Sequence, residues 1–140
     1  MKLSPNKKAI QVVCALLIRE NKLLLGLRPP GKHLGGHWEL PGGKVEENES
    51  YVSALYRELK EELDITIDQD QCSYLTSVVH SYPEKTIELH VIRVETYSGQ
   101  LKNLEHSRLE FFDLKLALDQ NLGNADRLLL EKPEISLLFQ

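Results

Sequence analysis

Residues 42–65 read GGKVEENESYVSALYRELKEELDI, and from Ser50 to Leu63 the stretch carries neither glycine nor proline, which predicts one long helix. At about 100° per residue, Glu58, Glu61 and Glu62 fall within an arc of roughly 100°. Val52, Leu55, Leu59 and Leu63 form a separate stripe centred about 110° away. The helix is therefore expected to bury one side and gather three carboxylates on a neighbouring face. Like charges at this spacing destabilise an isolated helix by roughly 0.2–0.5 kcal/mol per pair. A hard divalent cation would offset that cost; a solvated acidic face is the plainer reading of the triplet alone. Arg57 stands one turn before Glu61, where it can pair with it and fix its rotamer.

Outward from the helix, the chain mixes strand and helix signals without a regular βα alternation. Ala9 to Leu27 is rich in β-branched and other apolar residues and is interrupted by Arg19-Glu20-Asn21-Lys22, which predicts two strands joined by a tight turn. A loop with Pro29-Pro30-Gly31 and Gly35-Gly36 follows, then a short segment His37 to Leu40, then Pro41-Gly42-Gly43. Downstream, strands are expected over Cys72–Tyr82, Thr86–Tyr97 and Ser107–Phe112, with short helices near Leu114–Leu118 and from Asn124 through Leu130. This is the pattern of an α+β class, an α/β/α sandwich with a mixed sheet.

The 140 residues suit a single domain spanning 1–140 with one sizeable core. Apolar residues at 41% and charged residues at 27% exclude a disordered or fibrous chain. A net charge of -4 offers no footprint for a nucleic acid polymer or an anionic membrane. A small polyanion would need local Arg, Lys or metal. The apolar run after Lys2, Lys7 and Lys8 lacks the cleavage signal of a leader, and no run is long enough to span a bilayer. Cys14 and Cys72 fit two inert thiols in a reducing compartment, so a cytoplasmic location is expected.

Gly43, Glu49, Arg57-Glu58, Leu59, Glu61-Glu62 and Ile65 resemble the Nudix box, G-x5-E-x7-R-E-U-x-E-E-x-G-U with U a bulky apolar residue. Eight of the nine specified positions match, a coincidence on the order of 10⁻⁶ for a chain of ordinary composition. The departure is Asp64, where the family carries a glycine just past the helix. Asp adopts the left-handed conformation at some cost, so a modest loss of stability or an altered turn is expected there. Gly35 to Lys44, GGHWELPGGK, is similar to the lead-in of the MutT-like branch. The C-terminal half looks closest to CTP pyrophosphohydrolases through Glu105-His106 and Asn124-Ala125-Asp126, with the oxidised-purine sanitisers next.

The resemblance implies a Nudix fold and Mg²⁺-dependent cleavage, with Mn²⁺ as the alternative ion, of a nucleoside triphosphate into monophosphate and pyrophosphate. It implies metal ligation by Glu58, Glu61, Glu62, Glu105 and the carbonyl of Gly42, chosen over Gly43. Glu61 and Glu105 compete as general base, and Arg57 joins the catalytic set. Arg28 and Lys44 would meet phosphates and Glu39 the ribose or its own loop. Tyr82 would stack on the base and Asp126 read it, an ionised carboxylate accepting from a cytosine amine and a protonated one donating to an oxidised purine. Asn124 is the expected cap of the last helix, and His106 is read as a loop histidine without a catalytic task. A nucleotide sugar or dinucleotide as substrate, and a non-catalytic Nudix ligand-binding module, are the alternatives. The partner is a nucleotide, and the chain a monomer or homodimer.

Overall fold

A computed structural model describes residues 9–139. Lys2, Lys7 and Lys8 lie outside them, as do the extremes of the expected 1–140 domain. The first apolar run folds into β1 (Ile10–Arg19) and β2 (Lys22–Leu27). Glu20 and Asn21 join them, both at positive φ, the conformation that a right-twisted two-residue hairpin turn demands. Along β1, Cys14 and Leu16 enter one core while Val13, Ala15 and Leu17 enter another on the opposite face. Burial on both faces explains why this strand reads as an unbroken apolar run.

Next come β3 (Trp38–Glu39), β4 (Gly42–Lys44), α1 (Tyr51–Leu63), β5 (Thr66–Ile67), β6 (Cys72–Ser81), β7 (Thr86–Val94), β8 (Tyr97–Ser98) and β9 (Arg108–Phe112). Three short helices, α2 (Leu114–Leu118), α3 (Asn124–Leu130) and α4 (Pro133–Ser136), close the described chain. The main sheet runs β3-β2-β1-β7-β6, with β4 on β1 and β9 on β2. β1 and β7 are parallel from Ile10↔Ile87 to Leu17↔Val94, and the other pairings are antiparallel, so the sheet is mixed. α1 covers one face through Ala54, Leu55, Leu59 and Leu63. Ala117, Ala125, Leu129, Leu130 and Ile135 of α2–α4 cover the other. The α/β/α sandwich expected from the sequence is the observed architecture.

Three local expectations change. Pro41-Gly42-Gly43 leads into β4, because its residues complete a ladder with β1 (Val13↔Gly43). Thr86–Tyr97 splits after Val94, and Tyr97 pairs instead with Ile67 in a separate two-stranded ribbon. Asn124 is the first helical residue of α3; the cap is Gly123, which makes no side-chain cap bond. The helix α1 starts at Ser50, whose hydroxyl accepts from the Ser53 N–H, and ends on Asp64 at φ 56°, ψ 35°.

Asp64 thus takes the left-handed cap that the family gives to glycine. Its carboxylate lies 3.3 Å from Lys60 Nζ and 3.5 Å from Lys102 Nζ, and these cations hold it below the usual carboxylate range. Asp64→Ala removes both ion pairs and leaves a Cβ in the left-handed region, so its Tm is expected to fall by a few degrees. Asp64→Gly loses the pairs but gains the conformation, so it should stay close to wild type. Equal melting of wild type and the Ala variant would contradict this account of the cap.

Candidate active site

Arg57 is the clamp of the carboxylate helix. Its Nε and Nη2 donate to the two Glu49 oxygens at 2.8 and 2.9 Å, Nη1 donates to Glu58 Oε2 at 2.7 Å, and Nη2 also reaches the Lys44 carbonyl at 3.0 Å. This guanidinium holds the Glu49 carboxyl down at about 2. Glu61, the partner expected from spacing, stands 3.9 Å away and is 57% exposed. Arg57 keeps that long ion pair, and its closer bonds go to Glu49 and Glu58.

Glu58 lies across β4. A Cβ at Gly43 would collide with its carboxylate, and one at Gly42 would collide with the Val13 carbonyl. Ala15 N donates to Pro41 O, and Val45 N to Gln11 O. Antiparallel alternation then makes Val13–Gly43 the hydrogen-bonded pair between them. The Gly43 carbonyl is spent on β1, while the carbonyls of Gly42 and Lys44 point to the opposite edge, where Arg57 takes the latter.

Glu62 is 5% exposed at its side chain, and its Oε1 has no hydrogen-bond partner. Burial, contact with Glu58 and the neighbouring charges of Glu39 and Glu105 push its carboxyl far above the ordinary range. The segment after β8 is tied to this end of α1: Lys102 N donates to Leu63 O and Leu104 N to Glu62 O. These bonds satisfy two terminal helix carbonyls and bring the exposed Glu105 into the neighbourhood of Glu62. The side chain of His106, beside it, is 4% exposed, with Nε2 at 2.9 Å from Glu39 Oε2 and 4.0 Å from Glu62 Oε1. Its Nδ1 is buried without a partner. A carboxylate oxygen accepts, so Nε2 carries a proton and donates it to Glu39 Oε2.

A pocket opens from β4 toward α3, lined by Cys14, Arg28, His33, Glu39, Leu40, Gly42, Gly43, Lys44, Tyr82 and Asp126 among others. Arg28 Nη1 donates to Glu39 Oε1 at 3.1 Å and its Nε to the His33 carbonyl at 2.8 Å. Asp126 Oδ1 accepts from Leu40 N at 2.9 Å; burial and the Glu39 charge raise its carboxyl to about 7. The phenol oxygen of Tyr82 meets the N–H groups of Ala125 and Asn124, and its ring takes edge contacts with His33 and His80. The Cys14 thiol is free, buried and pushed well up by desolvation, as expected of an inert cysteine.

The NUDIX domain model matches residues 8–132. The chain belongs to the Nudix family. It is 40% identical over 124 residues to a CTP pyrophosphohydrolase of Escherichia coli K12, covering 89% of this chain and 90% of that one. An 8-oxo-dGTP diphosphatase of Proteus vulgaris is 38% identical over 97 residues, 69% of this chain and 85% of the relative. Among solved structures, the solution structure of the E. coli ORF135 protein superposes with a TM-score of 0.81 at 37% identity, over 93% of this chain and 91% of that one.

The fold gathers the Nudix-box carboxylates Glu58 and Glu62 with Glu105 and the outward carbonyl of Gly42, and leaves Glu61 facing solvent beside them. Arg28, Glu39, Lys44, Tyr82 and Asp126 share the adjoining pocket. Among the described residues no three His, Cys, Asp or Glu groups enclose an ion by themselves. The residues nonetheless fit a hard divalent cation: the buried Glu62 carboxyl has one oxygen without a partner and a second carboxyl, Glu58, in contact with it, and such an ion takes its remaining ligands from carbonyls, water and substrate. Sequence reasoning missed the burial of His106; the signal was Gly26, a glycine inside a strand, which often marks a close approach.

The Glu62 carboxyl has a folded pKa above its unfolded value of 4.5, so the folded state binds the extra proton. Its contribution is complete below that value and is lost as pH rises. The Tm of metal-free protein is therefore expected to fall more steeply toward alkaline pH in wild type than in Glu62→Gln, with 5 mM or so of MgCl₂ closing the gap. Identical slopes for both proteins would remove Glu62 from this role.

Proposed function

We propose that the chain is a Mg²⁺-dependent pyrophosphohydrolase of nucleoside triphosphates, releasing a nucleoside monophosphate and pyrophosphate, with cytosine nucleotides or oxidised guanine nucleotides as its substrates. The observation that carries this reading is the unpartnered Glu62 oxygen, buried on the same helix as Glu58, whose carboxylate rests against Gly43 of the pocket that also holds Asp126. The names of the two relatives support the substrate class. The unpaired thiols of Cys14 and Cys72 accord with a reducing cytoplasm.

In this reading Glu58, Glu62 and the Gly42 carbonyl would hold the ion, with Glu61 and Glu105 as further candidate ligands. A bound divalent cation lowers the pKa of the attacking water and neutralises charge on the phosphates. Arg57 keeps Glu58 aimed by the bonds already described and holds Glu61 only loosely, at 3.9 Å. Glu61 or Glu105 accepts the proton of the water as it adds to phosphorus, and the bond to the bridging oxygen between the α and β phosphates breaks. Arg28, already turned by Glu39, and Lys44 at the pocket mouth offer donors to the phosphate oxygens. Positioning and electrostatics then supply most of the acceleration. At the far end Tyr82 packs on the base and Asp126 reads its edge.

With Mg²⁺, CTP, dCTP and 8-oxo-dGTP should yield pyrophosphate and not single phosphate; no turnover across a broad nucleotide panel would refute the reading. Glu61→Gln and Glu62→Gln are each expected to lower kcat by about 10²-fold or more while the fold survives, because outer and inner metal partners both carry losses of this order. Retained activity with lowered Tm would assign them to structure.

Base reading has its own signature. Asp126 ionises near pH 7, so the ratio of kcat/KM for CTP over 8-oxo-dGTP should rise as pH climbs through that value, and Asp126→Asn should flatten it. The variant should lose roughly 1–3 kcal/mol on CTP, the scale of one good base contact. Arg28→Ala should impair all triphosphates about equally, since phosphate contacts carry no base information. Equal losses across bases for both variants would make Asp126 a scaffold residue.

A further inference from the structure

A Cβ at Gly26 would lie 2.5 Å from Cδ2, 2.6 Å from Cγ and 2.7 Å from Nε2 of His106. The imidazole therefore sits on a bare Cα of β2, in space that any other residue would occupy. From this seat Nε2 faces Glu39 Oε2 at 2.9 Å and Glu62 Oε1 at 4.0 Å. The second oxygen of Glu39 accepts from Arg28. An unbroken line of contacts runs from Arg28 in the pocket, through Glu39 and His106, to the carboxylate helix. The backbone around the ring is fixed as well. His106 N donates to Asn103 Oδ1, its carbonyl accepts from Asn103 Nδ2, and Ser107 N donates to Leu27 O.

A buried ring that merely filled space would not need a nitrogen placed between two carboxylates. Resting on the hydrolase reading above, we propose that His106 is a positioning residue that couples the pocket to the metal-facing helix. Its Nε2–H sets the direction of Glu39, and through Glu39 the Arg28 guanidinium, relative to Glu62, while its seat on Gly26 holds the adjoining Glu105 in register. His106 does not touch the reacting atoms. It acts by holding those that do, so its loss falls on every nucleotide alike, unlike that of Asp126.

The test compares wild type, His106→Leu, His106→Gln, Gly26→Ala and the Gly26→Ala/His106→Leu double variant, each with CTP and with 8-oxo-dGTP. Leu keeps the apolar volume and loses the donor; Gln restores an N–H near the position of Nε2; Ala at 26 pushes an intact histidine off its seat. His106→Leu and Gly26→Ala should each lower kcat by about 10- to 100-fold on both substrates, the usual scale for groups that orient metal ligands. His106→Gln should recover most of that loss. The double variant should be no worse than the poorer single one, since both remove the same contact. A fully active His106→Leu, a Gln variant no better than Leu, or single losses that multiply would each overturn the proposal. Should Gly26→Ala fail to fold, the Leu and Gln pair decides. Should wild type turn over no nucleotide of the broad panel, the hydrolase reading fails, and the rise in Tm on adding MgCl₂ decides the coupling. A smaller rise in His106→Leu than in wild type supports it, and equal rises overturn it.

Discussion

The carboxylate of Glu58 fills the space where a side chain at Gly43 would stand, and the rest of the site depends on that steric exchange. With no Cβ at 43, the carboxylate can lie directly against β4 while the Leu55, Leu59 and Leu63 side of α1 reaches the sheet. Each of these fully buried leucines contributes about 1.5–3 kcal/mol, far more than the repulsion of about 0.2–0.5 kcal/mol per like-charged helical pair. The helix thus carries its acidic face into the protein on the strength of its apolar one. Arg57 completes the seat by bridging Glu49, Glu58 and the Lys44 carbonyl.

One helical face then gives three different carboxylates. Glu58 is 16% exposed and held by a guanidinium, Glu61 faces solvent, and Glu62 is nearly enclosed by the segment after β8. Helical spacing alone cannot distinguish them, because the difference comes from what lies over each one. Leu104 N and Lys102 N close on the last carbonyls of α1, so the same bonds that cap the helix also cover Glu62. Ionising a buried carboxyl beside other carboxylates is costly, and a bound cation would relieve that cost. Under the proposed function the apo protein stores an electrostatic deficit that substrate and metal resolve together.

Much of this was legible in the residues. Periodicity found α1 and its leucine stripe, and an apolar, β-branched run interrupted by Arg19-Glu20-Asn21-Lys22 marked β1 and β2. The box spacing brought Glu58, Glu61 and Glu62 forward together. What stayed hidden depended on contacts distant in sequence. Gly42–Lys44 looks like a loop until β1 is available to pair with it. Helical spacing shows Arg57 as a partner of Glu61, a pair that persists at 3.9 Å, but not its closer bonds to Glu49 and the Lys44 carbonyl. Asn124 looks like a cap because Asn caps helices in general, yet in the folded chain its side chain turns to His80 instead. His106 resembles an ordinary loop residue until Gly26, eighty positions earlier, is seen to have made room for it.

The five residues 39–43 join these features. Glu39 binds Arg28 and His106, Leu40 N–H holds Asp126, and Pro41 O receives Ala15 N. Gly42 turns its carbonyl to the free edge, and Gly43 admits Glu58. Consecutive residues of an extended chain point to opposite sides, so one short segment addresses the pocket and the carboxylate helix in turn. Its proline and two glycines fix a path that a generic sequence would not follow. Any displacement of the segment moves the Asp126 contact and the Glu58 seat together. If Asp126 reads the base and Glu58 holds the metal, then base selectivity and turnover share a mechanical origin: substitutions along 39–43 would change both for every base, whereas Asp126→Asn, which keeps an acceptor for Leu40 N–H, would act on the bases unequally.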